Sequence, residues 1–194
     1  AIAAGIGMVH QHFTLAENLT ALDNILLGAE PLRGWRRNVA AAKSKITAIM
    51  ERSGLHAPLD VAVGRLSVGE RQRVEILKAL YRDVRILVLD EPTAVLTPQE
   101  ADALFDNIRA MTADGLSVIF ISHKLREVLA FATRITVLRH GENVGEIPIS
   151  EANEQKIARL MVGEETAQPK RDTQAPGKPI LRLAGVTVAG RARR

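Results

Sequence analysis

Short apolar runs alternate with helical patterns through the second half of the chain. Four aliphatic residues, 86–89, form one run, and "LSVIFIS" at 116–122 forms the next. We predict two buried strands, 85–90 and 116–122, each followed by a helix. Strands that alternate with helices favour a parallel sheet with helices on its faces. The apolar face of the helix between the two strands is predicted at Leu104, Phe105, Ile108 and Met111.

Capping residues predict where two of the helices begin. Ser67 with Glu70, and Thr97 with Glu100, place a small hydroxyl residue three positions before a glutamate, which is the pattern of a capping box. Pro98 stands at the first position of the second helix, where proline is favoured. The apolar stripe of the first helix is predicted at Val74, Leu77 and Tyr81.

The first third of the chain is mostly helical and lacks this alternation. Residues 5–9 predict one short strand. Thr20 and Gly28 bound a short predicted helix, and a longer one covers 37–53 with Gly54 as its stop. We therefore expect a helical lobe that is inserted in, or appended to, the sheet. The apolar side of its longer helix is predicted at Val39, Ala42, Ile46, Ile49 and Met50.

The last third predicts a closing unit and then a linker. "RITVLRHGENVGEI" is hairpin-like around His140 and Gly141, and a helix follows at about 151–161. Residues 163–179 hold three prolines and few apolar residues, which is typical of a linker. Residues 180–194 return to strand-like alternation, and from the residues alone they are either a new strand or a loosely ordered basic tail.

Composition and charge exclude several classes of protein. The chain has 46% hydrophobic and 25% charged residues, which is a globular composition, and no cysteine for disulfides or thiolate sites. The net charge of +4 comes from residues 163–194, with seven basic and three acidic residues, because residues 1–162 hold 19 of each. Balanced charge and 3% aromatic residues argue against a nucleic-acid partner.

Two carboxylates, Asp90 and Glu91, stand where the first of the predicted strand pair ends. Ligands of open parallel sheets bind at the carboxyl ends of the strands. An aliphatic run followed by Asp matches the Walker B pattern, in which the Asp holds Mg²⁺ on nucleotide phosphates. The plain alternative is a solvated acidic turn. Strand pleating points the two side chains in different directions, so one can face a metal and the other a water molecule.

Three further residues have two interpretations each. His123 ends the next strand, and it is either structural or within reach of a phosphate of the same ligand. Ser67 caps a helix, and with Gly69 it also exposes backbone N–H groups that suit an anion. Taken alone, the cap is the favoured interpretation, and Gln11 taken alone indicates no chemistry.

Four segments together resemble the ATPase domain of ABC transporters. They are Gln11, "LSVGERQRVEILKAL" (66–80), "ILVLDEPT" (86–93) and "VIFISH" (118–123). In turn they resemble the Q-loop, the signature helix, Walker B with its catalytic glutamate, and the switch histidine. The resemblance covers residues 1–162, and the wording of its motifs is similar to importers of simple sugars and nucleosides. It implies an α/β P-loop NTPase core with a parallel sheet and an α-helical subdomain, incomplete at the N-terminus.

The resemblance implies a role for each motif residue. Glu91 and His123 would be catalytic, Glu91 as the general base and His123 as a contact to the γ-phosphate. Asp90 and Gln11 would be the Mg²⁺ ligands. Ser67 and Gly69 would close over the ATP of the opposite ATPase domain. The residues that bind ATP would be Gln11, Ser67, Gly69, Glu70 and Asp90.

The resemblance also implies a layout of five parts. These are the end of a core strand leading to the Q-loop (1–11), a helical subdomain with the signature motif (12–84), part of a RecA-like core (85–162), a linker (163–179) and the start of a second ATPase domain (180–194).

Three features depart from the family. Val68 and Glu70 differ from the usual Leu-Ser-Gly-Gly-Gln, although Ser67 and Gly69 remain. Thr97 replaces an aspartate that usually makes a contact across the dimer. No G-x-x-x-x-G-K-[S/T] phosphate loop occurs in the sequence. We expect a fragment that begins after this loop, so that residues 1–194 alone neither hold ATP well nor hydrolyse it.

The expected function is ATP hydrolysis that energises an importer of simple sugars or nucleosides, with ATP and Mg²⁺ as cofactors. The partners implied are transmembrane permease subunits, a second ATPase domain and, indirectly, an extracytoplasmic substrate-binding protein, with no nucleic acid. The location implied is peripheral, on the cytoplasmic face of the inner membrane. An alternative of another class is a soluble ABC ATPase that acts on ribosomes or DNA, and the balanced charge of residues 1–162 argues against it.

Overall fold

A parallel sheet of three strands lies at the centre of the fold. A computed structural model of the chain describes residues 1–29 and 38–163. Both neighbouring pairs are parallel, with Val9 opposite Leu89 in the first pair. All three strands therefore end at one edge, which confirms the parallel sheet that the sequence predicted. In spatial order the strands are β1 (Ile6–Val9), β2 (Ile86–Asp90) and β3 (Ser117–Ile121).

The α-helices of the described residues begin and end largely where capping residues predicted. Both predicted capping boxes are formed, one at Ser67 and one at Thr97, and Thr20 accepts a hydrogen bond from a backbone N–H in the first turn of its helix. Gly54 ends the second helix at φ 70°, in the left-handed region that favours glycine. The helices are α1 (Ala21–Leu26), α2 (Val39–Ser53), α3 (Val68–Leu80), α4 (Pro98–Ala113), α5 (Leu125–Phe131) and α6 (Glu154–Val162).

The main core joins one face of the sheet to helices α1, α2, α3 and α4. Leu87 and Leu89 of β2 are fully buried there. Phe105 of α4 is 1% exposed and stacks on Phe131 with ring centroids 4.1 Å apart. Each such side chain contributes roughly 1.5–3 kcal/mol through burial. The predicted apolar face of α4 is buried in full, at Leu104, Phe105, Ile108 and Met111.

Two predictions of burial are wrong. In β3, predicted as a buried strand, Ile119 is 56% and Ile121 is 50% exposed. The reason is that the core helices pack on the other face of the sheet, and no helix of the described residues covers the face that also carries Met8. Val39 is 43% exposed because it is the first residue of α2, whose buried side starts at Ala42.

The strands after α5 form a separate unit. β4 (Arg134–Arg139) and β5 (Glu142–Pro148) pair antiparallel, which confirms the predicted hairpin. The helix expected at about 151–161 is α6, and Ile157 on it packs against both strands in a second small core. No helix in the described part is long and apolar enough to span a membrane. The linker predicted at 163–179, from residue 164 onward, and the domain start predicted at 180–194 lie outside the described residues, which end at residue 163.

Candidate active site

The paired ends of β1 and β2 place Gln11 and Glu91 side by side. Val9 and Leu89 are register partners, and Gln11 and Glu91 each stand two positions after one of these partners. Gln11 Nε2 donates a hydrogen bond of 3.1 Å to Glu91 Oε2. The loop after β1 and the loop after β2 therefore meet at one carboxylate.

The end of β3 adds a third side chain. Asp90 is the register partner of Ile121, and the Glu91 backbone N–H donates to the Ile121 carbonyl oxygen at 2.9 Å. His123 follows, and its Nδ1 lies 2.8 Å from Glu91 Oε1. Each oxygen of the Glu91 carboxylate thus has one partner, Gln11 on one side and His123 on the other.

The Glu91 backbone has an uncommon conformation. Its φ of 45° lies in the left-handed region, which is uncommon for a residue with a Cβ. Such conformations cluster at functional sites, where the surroundings enforce them. The Glu91 side chain is 26% exposed and the His123 ring 65%, so both are open to a ligand.

Asp90 lies beside Glu91, but its carboxylate has no partner among the described residues. It is half-buried, and no hydrogen bond or ion pair of the described residues involves its carboxylate. Nor do these residues contain a group of three or more His, Cys, Asp or Glu that could hold a metal ion. Mg²⁺ in proteins is held by one or two carboxylates together with water and substrate phosphates. The unpartnered Asp90 carboxylate and the Gln11 amide oxygen fit that donor set.

A polar network that sequence reasoning missed joins the loop after β2 to the start of α5. Thr93 is 1% exposed, and its Oγ1 donates to Glu127 Oε2 at 2.7 Å. Lys124 Nζ donates to the Thr93 carbonyl oxygen at 2.8 Å and lies 3.4 Å from Glu127 Oε1. These contacts fix the segments that carry Glu91 and His123 relative to each other. No signal in the sequence pairs residues 31–34 positions apart.

The start of α3 is a second, separate group. Ser67 Oγ accepts from the Glu70 N–H, and Glu70 Oε2 accepts from the Ser67 N–H at 2.8 Å. The hydrogen bond that the Ser67 backbone N–H donates to the Glu70 carboxylate, and then the one from the Ser67 hydroxyl, lower the pKa of Glu70 from its usual 4.5. A Cβ on Gly69 would lie 2.5 Å from Glu100 Oε1, so the starts of α3 and α4 are in contact. No hydrogen bond or ion pair in the described part joins Ser67, Gly69 or Glu70 to Glu91.

The chain is similar to known proteins of one family. The family model "ABC transporter" matches residues 1–94. The chain is 45% identical to the glucose import ATP-binding protein TsgD13 of Haloferax volcanii, over 96% of this chain and 39% of that protein. It is also 45% identical to the nucleoside import ATP-binding protein NupA of Lactococcus lactis, over 91% of this chain and 35% of that protein. The ribose import ATP-binding protein RbsA 3 of Rubrobacter xylanophilus is 42% identical, with coverages of 94% and 37%.

Solved structures give the same class. The ADP conformation of MJ1267, an ATP-binding cassette of an ABC transporter, has a TM-score of 0.69 at 26% identity, covering 84% of this chain and 70% of that one. The dimeric structure of MJ0796, a bacterial ABC transporter cassette, has a TM-score of 0.63 at 27% identity, covering 74% and 62%. The fold is thus that of an ATP-binding cassette. The chain belongs to the ABC transporter family, and it spans about 35–39% of the length of the curated relatives described above.

Proposed function

We propose that the protein containing this chain hydrolyses MgATP and uses the energy to drive an importer of simple sugars or nucleosides. The observation that carries the proposal is the Glu91 carboxylate, held between Gln11 and His123 at the carboxyl ends of parallel strands. In sheets of this kind that edge is where ligands bind.

Glu91 is the general base in this proposal. Its carboxylate takes a proton from the water that attacks the γ-phosphorus, as the bond from phosphorus to the leaving oxygen breaks. Gln11 orients both the carboxylate and the water through its amide. Positioned proton transfer of this kind contributes about 10²–10⁴-fold to a rate.

His123 contacts the γ-phosphate. Its Nδ1 faces Glu91, which leaves Nε2 on the outer side of the ring. When the ring carries both protons, Nε2 donates to a phosphate oxygen and offsets its charge. The ring is 65% exposed, as a residue that receives a ligand from solvent needs to be.

Asp90 and Gln11 are the Mg²⁺ ligands that we propose. Held there, Mg²⁺ would offset the negative charge of the phosphate oxygens. Asp90 supplies a carboxylate with no other described partner, and Gln11 an amide oxygen, because Gln11 contacts Glu91 through its nitrogen. The two residues lie at the ends of neighbouring strands, so both can face one ion.

The start of α3 serves a different ATP molecule. Ser67, Gly69 and Glu70 lie at a helix N-terminus, which suits phosphate, and are not joined to Glu91. We propose that they close over the ATP of a second ATPase domain, so that hydrolysis needs two domains. Thr97 caps α4 and is not acidic, so this position supplies no carboxylate contact between the two ATPase domains.

The importer assignment rests on relatives. Those at 42–45% identity are named for the import of glucose, ribose or nucleosides. We therefore propose permease subunits as membrane partners, a substrate-binding protein as an indirect one, and a peripheral location on the cytoplasmic face of the membrane. The transported molecule is selected by those other chains.

The test is replacement of Glu91 by glutamine in the full-length protein. Glu91→Gln keeps the shape and the contact to His123 but cannot take a proton. We expect ATP hydrolysis to fall by about 10²-fold or more, with ATP binding retained in calorimetry. Asp102→Asn on the exposed side of α4 is the matched control and is expected to hydrolyse at the wild-type rate. Turnover of Glu91→Gln close to that of wild type would show that Glu91 is not the base.

A further inference from the structure

The segment that carries Gln11 has little structure of its own. Between the end of β1 and Ala16 it forms neither helix nor strand, and the backbone–backbone hydrogen bonds of the described residues do not include positions 10–15. Gln11 nevertheless needs a fixed position, because its amide reaches Glu91 at 3.1 Å. Side chains from elsewhere must therefore hold this segment.

Two side chains do so. Asn24 of α1 brackets Ala16, accepting from its N–H at 2.7 Å and donating to its carbonyl oxygen at 3.0 Å. Closer to Gln11, Glu75 of α3 accepts from both the backbone N–H and the hydroxyl of Thr14 through its Oε1. Thr14 is three residues from Gln11, so Glu75 is the nearer anchor.

Glu75 is an unusual residue for its place. It is 6% exposed, and it is the one charged side chain among the buried residues of the described ranges 1–29 and 38–163. No lysine, arginine or histidine in those ranges pairs with it. A buried carboxylate is costly unless it is hydrogen-bonded, and its neighbours Val74, Ile76 and Leu77 show that apolar side chains fit this part of α3. Its described hydrogen bonds all go to Thr14.

We propose that Glu75 is a positioning residue for Gln11: by holding Thr14 against α3, it fixes the segment from which Gln11 reaches Glu91. Because Ser67 begins the same rigid helix, two turns before Glu75, the contact also links the Gln11 segment to the part of α3 that closes over the second ATP. This inference rests on the proposed function of Gln11, Glu91 and Ser67.

The experiment measures MgATP hydrolysis by the full-length protein with Glu75→Leu, Glu75→Gln and Thr14→Val. Glutamine keeps an acceptor oxygen in the same place, whereas leucine keeps only the volume. We expect Glu75→Leu to lower kcat about tenfold with little change in KM for ATP, Thr14→Val to lower it less, and Glu75→Gln to restore most of the rate. Glu17→Gln is the control. The ion pair of Glu17 with Arg71 also joins the loop after β1 to α3, but it lies at the surface and farther along the chain from Gln11 than Thr14 does.

A double-mutant cycle separates positioning from a general effect on the fold. In a Gln11→Ala background Glu75→Leu is expected to cost almost nothing further, since the residue it positions is gone. Equal losses in both backgrounds, or equal losses for Glu75→Leu and Glu75→Gln, would overturn the inference. Thr14→Val, at an exposed position, gives the same test if Glu75→Leu does not fold. Normal hydrolysis by Glu91→Gln would refute the proposed function, whereas normal hydrolysis by Glu75→Leu refutes only this inference.

Discussion

At the scale of single residues, the geometry gives Glu91 two constraints at once. Its backbone has a positive φ, and each carboxylate oxygen has a partner on a different loop. Strained conformations persist where the surroundings over-determine them, and here Gln11, His123 and the Ile121 carbonyl do so. If Glu91 is the general base proposed above, this fixed orientation removes the need for reorganisation during the reaction.

Thr93 supports this arrangement and gives a stability prediction. Thr93→Val removes a hydroxyl that donates to Glu127 and accepts from Lys124 Nζ at 3.2 Å. Because the site is 1% exposed, both partners are left short of a hydrogen bond, and we expect the free energy of unfolding to fall by about 1–3 kcal/mol in urea denaturation.

The matched control for Thr93→Val lies on α4. The Thr112 hydroxyl donates only to the Arg109 carbonyl oxygen and is exposed, so Thr112→Val is expected to change stability by less than about 0.5 kcal/mol. Equal stability of the two variants would contradict the role given to the Thr93 network.

At the scale of elements, local signals were the reliable ones. The capping boxes at Ser67 and Thr97 and the stop at Gly54 depend on residues close in sequence, and all three are observed. The exposure of Ile119 and Ile121 could not be predicted, because an apolar run shows that a strand can be buried, not which of its faces a helix covers.

The capping box of α4 predicts a pH dependence. The N–H and then the hydroxyl of Thr97 hydrogen-bond Glu100 and lower its pKa from the usual 4.5. The folded state thus favours the ionised form, so the contribution to stability is full above the unfolded pKa and is lost as the pH falls through the lower folded value.

Glu100→Gln tests this sign. Glutamine can keep the hydrogen bond but has no charge, so wild type should be the more stable protein at about pH 6 and the difference should shrink toward about pH 3. Denaturant midpoints across that range measure it. Asp102→Asn, which removes a carboxylate one turn into the same helix without capping it, should show no such convergence; a Glu100→Gln difference that grows on acidification would refute the assignment.

At the scale of the whole molecule, residues far apart in sequence meet in two places. Gln11 and Glu91, 80 positions apart, could be placed together only because their motifs resemble a known family; spacing alone gave Gln11 no chemistry. Thr14 and Glu75, 61 positions apart, belong to no such pattern and were missed. The family resemblance thus brought Gln11 and Glu91 together, whereas the contacts that support their segments carry no signal in the sequence.

A crystal structure of the full-length Glu91→Gln protein with MgATP bound would show whether the ends of β1, β2 and β3 form the ATP site. We expect the metal beside Asp90 and Gln11, and the γ-phosphate within about 3 Å of His123 and facing residue 91. The proposed site would be wrong if MgATP were bound away from the ends of β1, β2 and β3 and the side chains of these four residues faced solvent.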